Sequence, residues 1–395
     1  MRTVPLRWLL TLAALSALAT LSTNILLPAL PVIAQALGGD ATTLTAAVLG
    51  VFLAVFAFAQ LIVGPLSDRV GRRPVVLGGL VVFVIGSAVG GAAVSLPWLL
   101  MGRVLQAIGV AAASVLARAA ARDRFEGPQL AALLGRIMVV MAAAPGFSPL
   151  LGGLLQAAWG WRAPFIVLVL AGLALAAAYV GIVGETLPVE RRRHQAAGAL
   201  ARGYLQLLGD ARFMRSALAT AAILGALFAF FGTAPLVLAH DFGFSALQVG
   251  VFFAISVFVV FAAGQTAPRW AARWGAPTVL RIGATLAALG GFAMLVVGAI
   301  GLTGFALAVA IFLFGMGLVS PTGTALALTP FASQAGQASA LLGFLQMAAA
   351  ACMTTAAATL PGARMVALAL VLVSGGLLAL LSGAAKPAEV AARAS

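Results

Sequence analysis

Charge is scarce in this chain. Of its 395 residues, 9 are acidic and 23 are arginine or lysine, so charged residues make up 8%. Soluble domains of this size carry about a quarter. Without a charged skin the chain cannot present its surface to water, which excludes a soluble globular enzyme or binding module and makes lipid its solvent. Cysteine is scarcer still. Cys352 stands alone, so no intramolecular disulfide can form. With only 2 histidines besides, no metal site is expected. Lysine is confined to Lys386. The glycine-rich loop with lysine that cradles nucleotide phosphates is missing, so neither ATP nor another cofactor is expected. No soluble portion is large enough for a receptor or scaffold.

What fills the chain is apolar sequence: 63% hydrophobic residues and a mean hydropathy of +1.14. A membrane-crossing helix needs about 20 apolar residues. Twelve such segments can be marked, at 8–37, 43–66, 75–94, 98–119, 130–157, 163–184, 213–239, 245–267, 278–300, 303–327, 337–359 and 363–385. Long apolar runs without strict alternation indicate helices, not a transmembrane barrel. The basic start followed by an apolar run resembles a signal peptide. The run continues through Leu37, too long for a signal core, and is read as the first span.

The net charge of +14 sits in short clusters between apolar runs, the pattern of a topology signal and not of a nucleic-acid surface. One alternate set of connections holds Arg2, Arg7, Arg69, Arg72, Arg73, Arg118, Arg122, Arg124, Arg191 to Arg193, Arg202, Arg212, Arg215, Arg269, Arg273, Arg281, Lys386 and Arg393. The other holds Arg162 and Arg364. The positive-inside rule then puts both termini in the cytoplasm.

The longest connection divides the chain into two six-helix units, 1–184 and 213–395, joined by a linker at 185–212. Within the linker, Ala196 to Leu208 has the pattern of a short amphipathic helix lying on the membrane surface; a regulatory segment and a plain linker are the two roles open to it. A weak repeat supports the division. "RVGRRPVVL" (69–77) follows the second segment and "RWGAPTVL" (273–280) follows the eighth. Gly71 and Gly275 each suit a tight turn, and Pro74 and Pro277 each suit the start of the next helix. Two similar halves around a central site is a known transporter plan.

Four stretches carry a resemblance. "GPLSDRVGRRPV" (64–75) lies between the second and third segments. "RVLQAIGVAAASVLARAAARD" (103–123) fills the fourth, "SPLLGG" (148–153) lies in the fifth, and "LPALPVIAQAL" (27–37) ends the first. Together they resemble the major facilitator superfamily, and within it the drug-efflux branch that includes bicyclomycin- and chloramphenicol-type exporters. The likeness covers nearly the whole chain. It implies an all-α membrane protein of twelve transmembrane helices in two pseudo-symmetric six-helix bundles.

The resemblance also implies roles. Asp68, Arg69, Gly71, Arg72, Arg73 and Asp123 would form a cytoplasmic gate. Asp68 would face the start of the eleventh helix near Gln337 while Arg72 meets Asp123, and these contacts would form only when the cytoplasmic ends of the halves touch. Arg103 would serve substrate binding or coupling; Gln106, three residues on, shares its helix face, and lipid-facing charge is costly enough to favour inward placement. Pro145, Ser148, Pro149, Gly152 and Gly153 form the exporter motif, with Ser148 and Ala144 where the family has glycine. Ser320, Thr322 and Thr324 are candidate cavity residues.

The chain departs from the family at Asn24, where efflux members commonly carry aspartate. Asp40, Asp68, Asp123, Glu126, Glu185, Glu190, Asp210, Asp241 and Glu389 all fall in connections or at segment ends, so no acid is expected near the bilayer midplane. Asn24 cannot titrate, and a cavity holding Arg103 without a carboxylate is a poor host for a lipophilic cation. The expectation is a secondary active transporter, not an enzyme, that exports small neutral or anionic organic molecules by alternating access, with protons as coupling partner. His240 with Asp241, or Asp68 and Asp123, would carry the proton. The alternative is a facilitator or importer of a small metabolite without proton coupling. The expected setting is a bacterial-type inner membrane, with lipid as surroundings and the chain a monomer.

Overall fold

The computed structural model describes residues 5–192, 197–297 and 301–383. Arg2, Arg193, Lys386, Glu389 and Arg393, and with them both chain ends, lie outside the described residues. Among the described residues twelve helical spans are long and apolar enough to cross a membrane, one for each marked segment, and there is no strand. Backbone groups dissolved in lipid must find partners within their own segment, which an isolated span satisfies only as a helix.

Helices α1 (Leu6–Asn24) and α2 (Leu30–Ala36) share the first crossing. They are followed by α3 (Ala41–Val70), α4 (Arg72–Gly91), α5 (Leu96–Arg124), α6 (Gly127–Trp159) and α7 (Ala163–Ala178). The short helix α8 (Ala197–Gly209) precedes α9 (Ala211–His240), α10 (Ala246–Trp274), α11 (Ala276–Val297), α12 (Leu302–Leu328), α13 (Ala335–Thr359) and α14 (Arg364–Gly383). The first crossing breaks after Asn24 into a short 3₁₀ turn, Leu27–Ala29. Pro28 and Pro31 explain the break, since neither has an N–H to return to the preceding turn.

The connections fall on two faces. One, the basic face, carries the α3–α4, α5–α6, α10–α11 and α12–α13 turns and α8. The opposite face carries the rest. On the basic face the repeat-related turns match: Gly71 has φ 112° and Gly275 has φ 81°, a region L-residues avoid. Each turn feeds a helix that packs closely on its successor. A side chain at Gly79 or Gly86 in α4 would collide with the backbone of α5, and one at Gly283 or Gly290 with the backbone of α12. An identical interval in the chain separates Gly71 from Gly275, Gly79 from Gly283 and Gly86 from Gly290. The two bundles are therefore built alike.

Near the opposite face the bundles press together. Gly50 of α3 lies against Thr355 of α13, and Gly153 and Gly250 bring α6 and α10 into backbone contact. Arg364 at the start of α14 donates from Nε to Thr42 Oγ1 at 3.2 Å. Toward the basic face α3 and α13 stay in contact at Gln60 with Gly343 and at Phe58 with Phe344, whose rings are 5.2 Å apart, and beyond these contacts glycines of the four helices face open space. A methyl group added at Gly64 (α3), Gly135 (α6), Gly264 (α10) or Gly336 (α13) would meet no atom within 4 Å.

Candidate functional site

Arg103 lies in the second turn of α5, roughly 10 Å from the opposite-face end of the helix at 1.5 Å per residue. It is completely buried and does not reach for headgroups. Nη1 donates to the Ser22 carbonyl at 3.1 Å and to Gln106 Oε1 at 2.9 Å, and Nε to the Val48 carbonyl at 3.4 Å. The guanidinium covers the Phe52 ring at 4.2 Å. Gln106 in turn donates from Nε2 to Ser87 Oγ at 2.9 Å. One arginine thus ties α1, α3 and α5 together and, through Gln106, α4.

Arg103 forms no ion pair among the described residues. Its Nη2 has no hydrogen-bond partner among the described residues. The same is true of both amide atoms of Asn24, Ser22 Oγ, Thr45 Oγ1 and Thr354 Oγ1, all buried. Unpaired buried polar groups are rare and costly. The unpaired atoms comprise one positive charge on α5 and neutral donors and acceptors on α1, α3 and α13. Every acid among the described residues sits in a last helical turn or a connection, so no carboxylate balances it.

The proline–glycine motif of α6 occupies the seam. Pro145 and Pro149 lie inside a helix that runs unbroken through both. The buried Ser148 hydroxyl donates to the Ala144 carbonyl at 2.5 Å. Gly152 abuts the Ile25 carbonyl in the break of the first crossing so closely that a Cβ there would overlap it. A Cβ on Gly153 would stand 2.6 Å from the Ala246 carbonyl, and one on Gly250 2.8 Å from the Pro149 carbonyl. The motif therefore joins the break in its own bundle to α10 of the other.

On the basic face Arg72 is buried at the centre of a charge cluster. Nη1 pairs with Asp68 at 2.5 Å, Nε with Asp123 at 3.0 Å, and Nη1 also donates to Ser67 Oγ at 2.5 Å. Arg72 and Asp123 meet within the first bundle, so their contact does not require the two halves to touch, as the expectation had it. Asp68 differs from expectation: its ion pair is with Arg72, and Gln337 instead lies against Gly203 of α8. Asp68 and Arg72 stand four residues apart across the α3–α4 turn, so this pair is local to the turn. Arg69 is exposed and, like Arg73, forms no ion pair among the described residues.

Sequence reasoning missed the partner that fixes this turn. The Glu185 carboxylate accepts the backbone N–H of Arg72 at 2.9 Å and of Arg73 at 3.2 Å, as well as those of Thr186 and Leu187, each at 3.0 Å. It faces Arg192 at 3.8 Å, and Thr186 donates to Asp123 at 2.9 Å. Burial acts to raise the Glu185 pKa, but the four backbone N–H groups outweigh it and hold the carboxyl below its ordinary 4.5. Gly71 is required twice over, by its φ and because a Cβ would stand 2.6 Å from Glu185 Oε2. The available signal was an acid directly after Gly184, where the sixth segment ends. Of the other candidates, Thr322 is buried and bonded to its own helix at Leu318. His240 and Asp241 are exposed at the end of α9.

Two like bundles of lipid-soluble helices, in close contact at one face and with unpaired polar groups buried among their spans, define an integral membrane transporter and not an enzyme. The family described as Major Facilitator Superfamily matches residues 12–354, and the chain belongs to it. It is 29% identical to "Multidrug resistance protein D" of Escherichia coli (strain K12) over 376 residues, 94% of each chain. It is 30% identical to "Bicyclomycin resistance protein homolog" of Haemophilus influenzae over 360 residues, 89% of each. Among solved structures, the human organic anion transporter MFSD10 (TETRAN) shares the fold with a TM-score of 0.73 at 19% identity, over 95% of this chain and 98% of that one.

Proposed function

We propose that this protein is a multidrug-type exporter of small neutral or anionic organic molecules in a bacterial-type inner membrane. The observation that carries this reading is the buried, unpaired Arg103 in a chain whose spans hold no midplane carboxylate. A lipophilic cation would be desolvated there without a counter-charge. A carbonyl, hydroxyl or carboxylate would meet the free Nη2 of Arg103 and the amide of Asn24. The resistance names of the two relatives are consistent with export.

In this reading the basic face is cytoplasmic, as are both chain ends. Units 1–184 and 213–395 rock about the substrate, with 185–212 as their connection. The described state is open to the cytoplasm. In the alternate state the basic ends close, and Asp68 comes to the start of α13 near Gln337, where its charge favours the helix N-terminus. Proton antiport drives the cycle, with the proton taken up by the acids of the basic-face cluster; the protein acts as a monomer.

One observation favours a second reading. Asn24 stands where efflux relatives are expected to carry aspartate and cannot hold a proton, as suits a facilitator or importer without proton coupling. Purified protein in liposomes, with a compound panel and an imposed pH gradient, separates the two. Exporter action predicts gradient-driven accumulation of amphenicol-like or acidic compounds. Equal counterflow with and without the gradient favours the facilitator. Saturable movement of an ethidium-like cation alone contradicts both the site and the substrate class.

A further inference from the structure

The linker helix α8 is docked on one side and bare on another. Its inner face is held by Leu207, which is buried with Phe213 of α9 and Ala338 and Leu341 of α13. Gly203 meets the amide end of the Gln337 side chain at the start of α13. Tyr204 reaches the other bundle, where its hydroxyl donates to the Leu61 carbonyl of α3 at 3.2 Å. That carbonyl is available for a reason in the sequence: the residue four positions on is Pro65, inside α3, which has no N–H to give it. Burial raises the Tyr204 phenol above its ordinary 10, so it stays a neutral donor throughout the physiological range.

The bare side has its own pattern. Ala201, Leu205 and Leu208 are exposed, Leu205 at 66%. At about 100° per residue they share an arc of about 60° on the helix. Arg202 and Gln206, also exposed, follow beyond the far edge of that arc. Going round the helix, the order is protein-docked, apolar, then basic and polar. Arg215, also exposed, lies one turn into α9, while the exposed Arg212 is paired with Asp210 at 2.9 Å. Such an order fits the line where protein, acyl chains and headgroups meet. The turn of α3 that Tyr204 reaches also carries Phe58, stacked edge-on against Phe344 of α13, and Ile62, both more than half exposed on an apolar span.

We propose that α8 is seated in the anionic leaflet at the basic face. Leu205 and Leu208 enter the headgroup–acyl boundary and Arg202 and Arg215 lie against lipid phosphates, which holds Tyr204 on the carbonyl freed by Pro65. The occupant is a lipid surface because the arc is apolar with a cationic edge and continues the spans' own lipid-facing side. α8 is then more than a tether. It is a bar that joins α3 to α13 and whose seating responds to the charge of the leaflet.

The test uses the full chain with Cys352→Ser and one spin label at Leu205→Cys or Gln206→Cys, in vesicles of zwitterionic lipid alone or with roughly one third anionic phosphatidylglycerol, enough for a strong surface potential. Collision with oxygen and with a water-soluble nickel chelate reports depth. The expected result is a label at 205 about 5–10 Å below the headgroups, a label at 206 in water, and a deeper 205 when anionic lipid is present. Arg202→Gln with Arg215→Gln should remove that dependence on anionic lipid. Tyr204→Phe should leave the depth at 205 unchanged and raise the mobility of the label, since its inner anchor is lost. Equal water exposure at 205 and 206 in both lipids overturns the proposal, as does spin–spin broadening at 205, which would assign the face to a second copy of the chain. None of these readouts depends on transport, so they stand or fall apart from the exporter reading.

Discussion

The two faces of this transporter are held by different chemistry. At the opposite face the bundles meet backbone to backbone through glycines, at Gly152 with Ile25 and at Gly153 and Gly250 across α6 and α10. At the basic face the strong contacts are ionic, and most lie within the first bundle and its linker: Arg72 with Asp68 and Asp123, and Glu185 on the backbone of the α3–α4 turn. Close apolar contact is short-ranged and depends on shape. A charge cluster with several acceptors can exchange one partner for another. The first suits a seal that is either shut or open; the second suits a latch whose partners change with state.

The comparison is broken most severely at the seal. Gly152→Val forces a side chain into the Ile25 carbonyl, a clash of the kind that costs ~1–3 kcal/mol or more in packed interiors. Transport should fall to background, with a lower melting temperature in detergent. Gly135→Val in the same helix, where nothing lies within 4 Å, should keep most of its transport; equal loss at both positions would remove the distinction between the faces.

Arg103→Leu should reduce transport by at least about tenfold, the equivalent of one lost charge-assisted hydrogen bond of ~1.4 kcal/mol or more. The reduction should be largest for acidic substrates and smallest for uncharged ones. A substrate-independent reduction would make Arg103 a tie between helices and nothing further.

The latch should be softer and sensitive to acid. The Glu185 carboxyl is held below its ordinary 4.5, so its contribution is complete above that value and fades as pH falls through the lowered one. Hydrogen exchange in the 71–76 segment should rise as pH falls below the ordinary carboxyl value of 4.5 and through the lowered one, after correction for intrinsic rates. Glu185→Gln should show raised exchange at neutral pH, a cost of about 1 kcal/mol typical of a lost helix cap, and no further acid step. The smallest effect belongs to Arg364→Ala. Its contact with Thr42 is a surface hydrogen bond beside Asp40, worth about 0.5 kcal/mol or less, and transport should change less than twofold.

Much of this was readable from residues. Twelve apolar runs could only become helices in lipid, and the positions of Gly71 and Gly275 announced the matching turns. Arg103 had to face inward because an unpaired charge in lipid is costly. What escaped were contacts set by the state of the molecule and by a single atom. Asp68 takes Arg72, four residues on, as its partner, and no local pattern encodes which partner it holds in each state. Glu185 lies more than a hundred residues from the turn it caps, and Tyr204 is placed by the hydrogen atom Pro65 lacks. The glycine interval shared by α4 and α11 was present in the sequence but becomes meaningful only once each glycine is seen against a neighbouring backbone.

The central claim is that the opposite face must open for the transporter to turn over. A Cβ on Gly50 would stand 3.3 Å from Thr355 Oγ1, within the range a disulfide spans. Gly50→Cys with Thr355→Cys, in a Cys352→Ser background, therefore staples α3 to α13 on that side. Transport in liposomes should stop on oxidation and return on reduction. An oxidised, fully cross-linked protein that transports at the reduced rate would contradict the account.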